Sequence, residues 1–271
     1  MTSLASWIAV DSRGPSSVYV VSDSRISWPG GSTWDRATKI FAARSRPIIF
    51  GYCGDIEGPL LVLAQLVQAI DHGLLFPDES STEQTAEVLE DYLRRALANY
   101  PGSKNGFSIV VAWRLGSEMK SAMNAAQIDR LGDGTIRRTI ITPPSVSSLI
   151  AAVGSGAESV RKWYAHWQST REGRTSRSVF TAFCDALAGS EDSKSGGPVQ
   201  LAAIYRTGGG RLIGVVGNNG DAAVLGVPLW AGISATAVEW RNQAFERVTE
   251  GGQLLPKAQK HRSPRGLGRR R

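Results

Sequence analysis

The sequence predicts an α+β fold in which two antiparallel sheets pack together with helices outside them. Three observations lead there. Short runs rich in Val, Ile and aromatic residues recur between clusters of Gly, Pro, Asp and Ser, as strands and turns do. Longer apolar runs with helical spacing fall between these blocks, in the order strands, two helices, strands, two helices, strands. Helices grouped between blocks of antiparallel strands imply layers.

Each element has a local reason. Leu4 to Val10 and Val18 to Ser22 read as strands joined by a turn over Asp11-Ser12-Arg13-Gly14-Pro15. Lys39 to Ala43 and Pro47 to Tyr52 form a second pair across a short basic turn. Pro59 to His72 is apolar enough for a buried helix. Thr82 to Tyr100 is amphipathic, with Leu89, Tyr92, Leu93 and Leu97 on one face. Phe107 to Arg114, Lys120 to Asp129 and Thr135 to Ile141 make a meander punctuated by Gly116 and Gly132-Asp133-Gly134. Ser148 to Val153 is a strand, followed by helices over Ala157 to Gln168 and Ser178 to Ala188. Val199 to Arg206 and Arg211 to Val216 form a last hairpin, and Val238 to Val248 is expected as a short helix.

The chain has 271 residues, 42% hydrophobic and 20% charged, the composition of an ordinary globular protein. With no internal repeat and no linker before the C-terminal tail, a single domain over 1–250 is expected. Gln65 and Gln68 interrupt the longest apolar run, so no membrane span is expected. No basic segment precedes an apolar stretch at the N-terminus, so no secretory signal is expected either. Cys53 and Cys184 have neither metal-ligand spacing nor a disulfide framework, which suits a reducing cytoplasm. The net charge of +7 sits in residues 251–271, where seven Lys and Arg occur without an acid. Removing those seven from 31 basic residues leaves 24, equal to the 24 acids. The tail, 251–271, is expected to be a disordered basic segment able to meet an anionic partner.

Several stretches carry polar groups suited to chemistry. Thr2 follows Met1; were Met1 removed, Thr2 would hold a hydroxyl nucleophile and an α-amine base on one residue. Asp23-Ser24-Arg25 ends the second strand, and Lys39 opens the next. Gly54 ends an apolar strand just before a helix, where a backbone N–H suits a developing oxyanion. Gly154-Ser155-Gly156 resembles the start of a dinucleotide fingerprint, but Ser159 holds the third glycine position and no βαβ unit surrounds it. Asp192-Ser193-Lys194-Ser195-Gly196-Gly197 reads as a polar turn. His72, His166 and His261 are scattered, so a Ser-His-Asp set has little support, and Cys53 reads as a small buried hydrophobe.

Taken together and in order, these motifs resemble the proteasome β-subunit family, including the HslV-type peptidases of bacteria. The resemblance runs from Thr2 to about Val216. It rests on Thr2, Val20-Val21-Ser22-Asp23-Ser24-Arg25, Thr38-Lys39-Ile40, Ile48-Ile49-Phe50-Gly51-Tyr52-Cys53-Gly54, Val153-Gly154-Ser155-Gly156 and Asp192-x-x-Ser195-Gly196-Gly197. Asp23 and Lys39 keep the family's separation of 16 positions.

The resemblance implies a four-layer αββα sandwich and an N-terminal threonine endopeptidase acting on peptide or unfolded protein. It implies Thr2 as nucleophile with its α-amine as base, Lys39 beside it, Asp23 orienting Lys39, and Gly54 as oxyanion donor. Ser155, Asp192 and Ser195 correspond to the group that places the amine and relays protons. Tyr52 and Ile56 fall where the family lines its first specificity pocket. It implies no cofactor and no metal, a homo-oligomeric ring, and an ATP-dependent unfoldase as partner. The chain departs from the family in an enlarged first turn, Asp11 to Ser17, in Tyr52-Cys53-Gly54-Asp55-Ile56-Glu57-Gly58, and in everything after 216. Two other readings remain: an amidase or acyl-transferase with the same nucleophile, since fold does not fix substrate, and a non-catalytic ring or scaffold subunit.

Overall fold

The computed structural model describes residues 2–76, 81–101, 106–230, 235 and 237–258. Met1 and the tail from residue 259 onward lie outside the described residues. The fold is mixed α/β, with antiparallel sheets and four helices among the described residues. No described helix is long and apolar enough to cross a membrane.

One sheet is built on β1 (Leu4–Asp11) and β2 (Gly14–Ser22). β10 (Ser148–Val153) flanks β1, and β11 (Gln200–Tyr205) flanks β2. β12 (Arg211–Val216), β13 (Ala222–Val224) and β14 (Val227–Pro228) continue the order. The second sheet runs β5 (Ile40–Ala42), β6 (Ile48–Gly54), β7 (Phe107–Leu115), β8 (Ala122–Arg130), β9 (Ile136–Ile141). A small hairpin, β3 (Ile26–Ser27) with β4 (Thr33–Trp34), leaves the end of β2.

The strands' side-chain alternation sorts the core. Leu4, Ile8, Val18 and Val20 of the first sheet meet Ile40, Ile49, Val110 and Ala125 of the second in one apolar cluster. The opposite face of the first sheet, through Ala5, Trp7, Tyr19 and Val21, packs on α3 (Ala157–Gln168) and α4 (Ser176–Ala188). The opposite face of the second, through Phe50, Tyr52, Ile109 and Val111, packs on α1 (Glu57–Asp71) and α2 (Thr82–Ala96). A strand buried on both faces reads as a continuous apolar run, which is why β6 and β7 show little polar alternation. Ser81 starts α2 with a capping box, its side chain accepting from Gln84 N and its own N–H donating to Gln84 Oε1.

Three local expectations differ from the structure. The first turn is tight: Asp11 pairs with Gly14, leaving Ser12 and Arg13 between the strands. Gly14 takes φ +102, open to glycine, and Pro15 sits beside a register shift where its missing N–H costs no ladder bond. The segment expected as a helix over Val238 to Val248 is instead β15 (Glu239–Asn242) and β16 (Arg247–Val248). β15 runs parallel to β12, so the first sheet is not wholly antiparallel. Trp240 lies flat against Gly214, where a Cβ would stand 2.3 Å from the indole, so the contact needs glycine. Finally, residues 251–258 do not behave as a free tail: Leu255 N donates to Arg247 O and Ala258 N to Leu255 O, each at 3.0 Å.

Candidate active site

The site forms where β1 begins, β2 ends and β10 ends. β1 pairs with both neighbours at its first residue, Leu4 facing Ser22 on one side and Val153 on the other. Thr2 and Ser3 are thereby drawn between Asp23 and the Gly154-Ser155-Gly156 turn. The two glycines of that turn are explained by this approach. A Cβ on Gly154, at φ +91, would stand 2.0 Å from Thr2 O, and one on Gly156 would stand 1.9 Å from Ser3 Oγ.

Lys39 lies just before β5, with its Nζ 2.8 Å from Thr2 Oγ1 and 2.8 Å from Asp23 Oδ1. It also donates to Arg25 O. The Asp23 carboxylate accepts further from Ser3 N (3.2 Å), Arg25 N (3.1 Å) and Gly196 N (2.9 Å). Thr2 and Lys39 are 2% exposed and Asp23 is 0% exposed. Burial pushes the Asp23 carboxyl above its ordinary value and the Lys39 ammonium below its own, and each group draws the other back toward the charged form. The backbone donors on Asp23 favour the carboxylate, so the cation beside Thr2 keeps a fixed counter-charge.

A second chain of hydroxyls reaches the Thr2 nitrogen. Thr2 N donates to Ser155 Oγ at 3.1 Å, and Ser155 Oγ donates to Asp192 Oδ2 at 2.6 Å. Ser195 Oγ donates to the same Asp192 oxygen at 2.7 Å and accepts from Ser3 Oγ at 2.9 Å. Burial pushes Asp192 up, but the donors Ser155, Ser195 and Lys194 N outweigh it and hold the carboxyl below its ordinary value. Asp192 is thus an ionised acceptor for two serines.

Gly54 ends β6 beside this cluster, at φ +103. Asp55 N donates to Gly106 O, and Gly54 faces Phe107, so the alternation along β6 and β7 turns the Gly54 N–H away from β7. Tyr52 N, two residues earlier, donates to Lys39 O on that same side.

The pocket residues fare differently. Tyr52 is 2% exposed, packs against Phe41 with ring centroids 6.5 Å apart and donates to Thr38 O. It belongs to the core under α1 and α2, so its placement in a substrate pocket is corrected: strand alternation turns it to the helix side, away from the sheet-to-sheet face that holds Cys53. Ile56 is half-buried at the start of α1. Cys53 is a core thiol that burial lifts to about 11. His72 ends α1, His166 stands edge-on to Trp163 on α3, and His261 lies outside the described residues.

Two site residues escape a motif reading. Ser3 closes the hydroxyl chain. Gln200, fully buried, donates to Asp23 O and Ala37 O while its Oε1 accepts from Lys39 N, tying the acid, the lysine and β11 together. Its sequence signal is a lone amide in the apolar run Val199-Gln200-Leu201-Ala202-Ala203-Ile204. A buried amide must find partners. Around the cluster, Arg25 pairs bidentately with Asp35 and donates to Ser193 O, pinning the polar turn. Among the described residues no group of three or more His, Cys, Asp or Glu side chains could hold a metal ion.

The geometry defines a class of site: a buried threonine hydroxyl under a paired lysine, with a serine–aspartate chain on the nitrogen of the same residue. No family model matches the chain, and no curated protein matches it. Solved structures similar to it include eukaryotic HslV from Trypanosoma brucei, 12% identical with a TM-score of 0.46, spanning 74% of this chain and 99% of that one. Another is Thiobacillus denitrificans BPH, 17% identical with a TM-score of 0.48, spanning 76% of this chain and 99% of that one.

Proposed function

We propose that the chain is a proteasome-like threonine peptidase that hydrolyses peptide bonds through Thr2 after loss of Met1. The observation that carries this reading is the contact of Lys39 Nζ with Thr2 Oγ1 at 2.8 Å, with Asp23 on the far side of the ammonium. A cation there lowers the cost of generating the Thr2 alkoxide. The free α-amine takes the Thr2 Oγ1 proton as the oxygen attacks the peptide carbonyl carbon. Gly54 N–H faces the oxyanion. Collapse breaks the C–N bond, the ammonium returns its proton to the leaving amine, and an ester on Thr2 remains. Water then attacks the ester, the amine takes a proton from that water and passes it to Thr2 Oγ1 as the C–O bond breaks, and the acid product leaves with the hydroxyl and the free amine restored. Ser155 and Asp192 orient the amine, whose unperturbed pKa of about 7.7–8.0 already suits a general base near neutrality.

The same reading arranges the three apolar clusters as a four-layer αββα sandwich within a single domain, acting as a homo-oligomeric ring on peptide or unfolded protein supplied by an ATP-dependent unfoldase in the cytoplasm. Intact-mass analysis with an N-terminal-threonine-directed epoxyketone tests it. One adduct on a chain lacking Met1, absent from Thr2→Ala, is expected. Retention of Met1 with no adduct refutes it.

A further inference from the structure

A cavity of about 350 Å³ opens at the N-terminus of α4, and no residue of the Thr2 cluster lines it. Its lining includes Arg177, Arg241, Arg247 and Lys257, with Glu172 as the one acid among the lining residues described. Thr175 caps α4 there, its hydroxyl accepting from Ser178 N. Thirteen helical residues follow, so the positive end of the helix dipole points into the same space. We propose that this cavity binds a small phosphate-bearing anion.

The cations are placed by the fold rather than scattered on it. Arg241 is on β15 and Arg247 on β16, which pair antiparallel as direct partners. Like charges set opposite each other on neighbouring strands repel, and an anion between them removes that cost. Arg241 is 9% exposed and lies over the Phe245 ring with its guanidinium carbon 4.9 Å from the centroid. Glu239 neutralises only one edge of it, through Nη2; Nε meets no hydrogen-bond partner among the described residues. Lys257 is brought in by the Leu255–Arg247 and Ala258–Leu255 backbone bonds. Guanidinium forks with a helix N-terminus match the oxygens of a phosphate better than those of an uncharged ligand. A volume of about 350 Å³ suits a small anion rather than a long polyanion.

Isothermal titration calorimetry on the full chain tests this, with inorganic phosphate and pyrophosphate at ionic strength held constant with chloride. Saturable binding is expected, tighter for pyrophosphate. Arg247→Gln/Lys257→Gln, both at exposed positions, is expected to weaken it at least tenfold, at about one charge-assisted bond or more lost. Circular dichroism establishes that this variant is folded. Equal affinity for pyrophosphate and adenosine diphosphate assigns recognition to phosphate alone, and tighter adenosine diphosphate adds the nucleoside; both sustain the proposal. Arg269→Gln/Arg270→Gln/Arg271→Gln is expected to bind as the parent does. Absence of saturable heat at millimolar phosphate overturns the proposal. So does loss of binding in the tail variant with none in the cavity variant, or binding confined to a single-stranded oligonucleotide.

Discussion

Asp23→Asn removes one charge from a carboxylate that is fully buried and accepts from Lys39 Nζ and three backbone N–H groups. The amide oxygen can serve only one side of that set, and the amide nitrogen then faces donors. Lys39 keeps its place 2% exposed and loses its counter-charge. Breaking a buried pair by removing one partner costs about 3–5 kcal/mol. For a domain of this size that lowers Tm by roughly 6–20 °C. Urea unfolding followed by tryptophan fluorescence measures it. The discriminating variant is Asp23→Asn/Lys39→Met, which also removes the stranded ammonium. It should recover at least about 1 kcal/mol relative to Asp23→Asn, because an unpaired buried charge is the larger penalty. A single variant within about 1 kcal/mol of the parent, or a double variant that loses the sum of both singles, would refute the buried-pair account.

Gly154→Ala places a Cβ 2.0 Å from Thr2 O at φ +91 and is expected to cost well over 1 kcal/mol and to displace Thr2, read as a lower Tm and loss of epoxyketone labelling. Ser155→Ala removes the donor between the Thr2 nitrogen and Asp192, and turnover of a fluorogenic peptide is expected to fall roughly 100-fold with Tm changed little; unchanged turnover denies Ser155 a role. Asp35, held below the ordinary 3.8 chiefly by its bond from Arg25, stabilises the fold above that pH, and the contribution is lost as pH falls through the lowered folded value. Asp35→Asn should therefore narrow the gap between urea midpoints at pH 6 and pH 3, and a parent-like gap counts against the ion pair.

Much of the candidate site was legible because its residues sit at element ends, where polar groups interrupt apolar runs. Asp23 follows β2, Lys39 precedes β5, Gly54 closes β6, and Ser155 lies between β10 and α3. Ser3 was not legible: a serine near a chain start carries no local signal until β10 and the 192–195 turn are folded against it. Tyr52 misled for the opposite reason. It adjoins Cys53 and Gly54 in sequence, but the two-residue alternation of a strand sends neighbours to opposite faces.

The sequence by itself determined where the longer strands and the helices lie through residue 216 (though not the β3–β4 hairpin), which faces are apolar, and which polar residues interrupt them. Those are properties of local pattern and need no partner. Only the tertiary structure decided that β15 lies parallel on β12, that Gln200 joins Asp23 to Lys39, and that four cations from α4, β15, β16 and the following segment share one cavity. Each is a meeting of segments far apart in the chain, settled by which buried groups can satisfy one another.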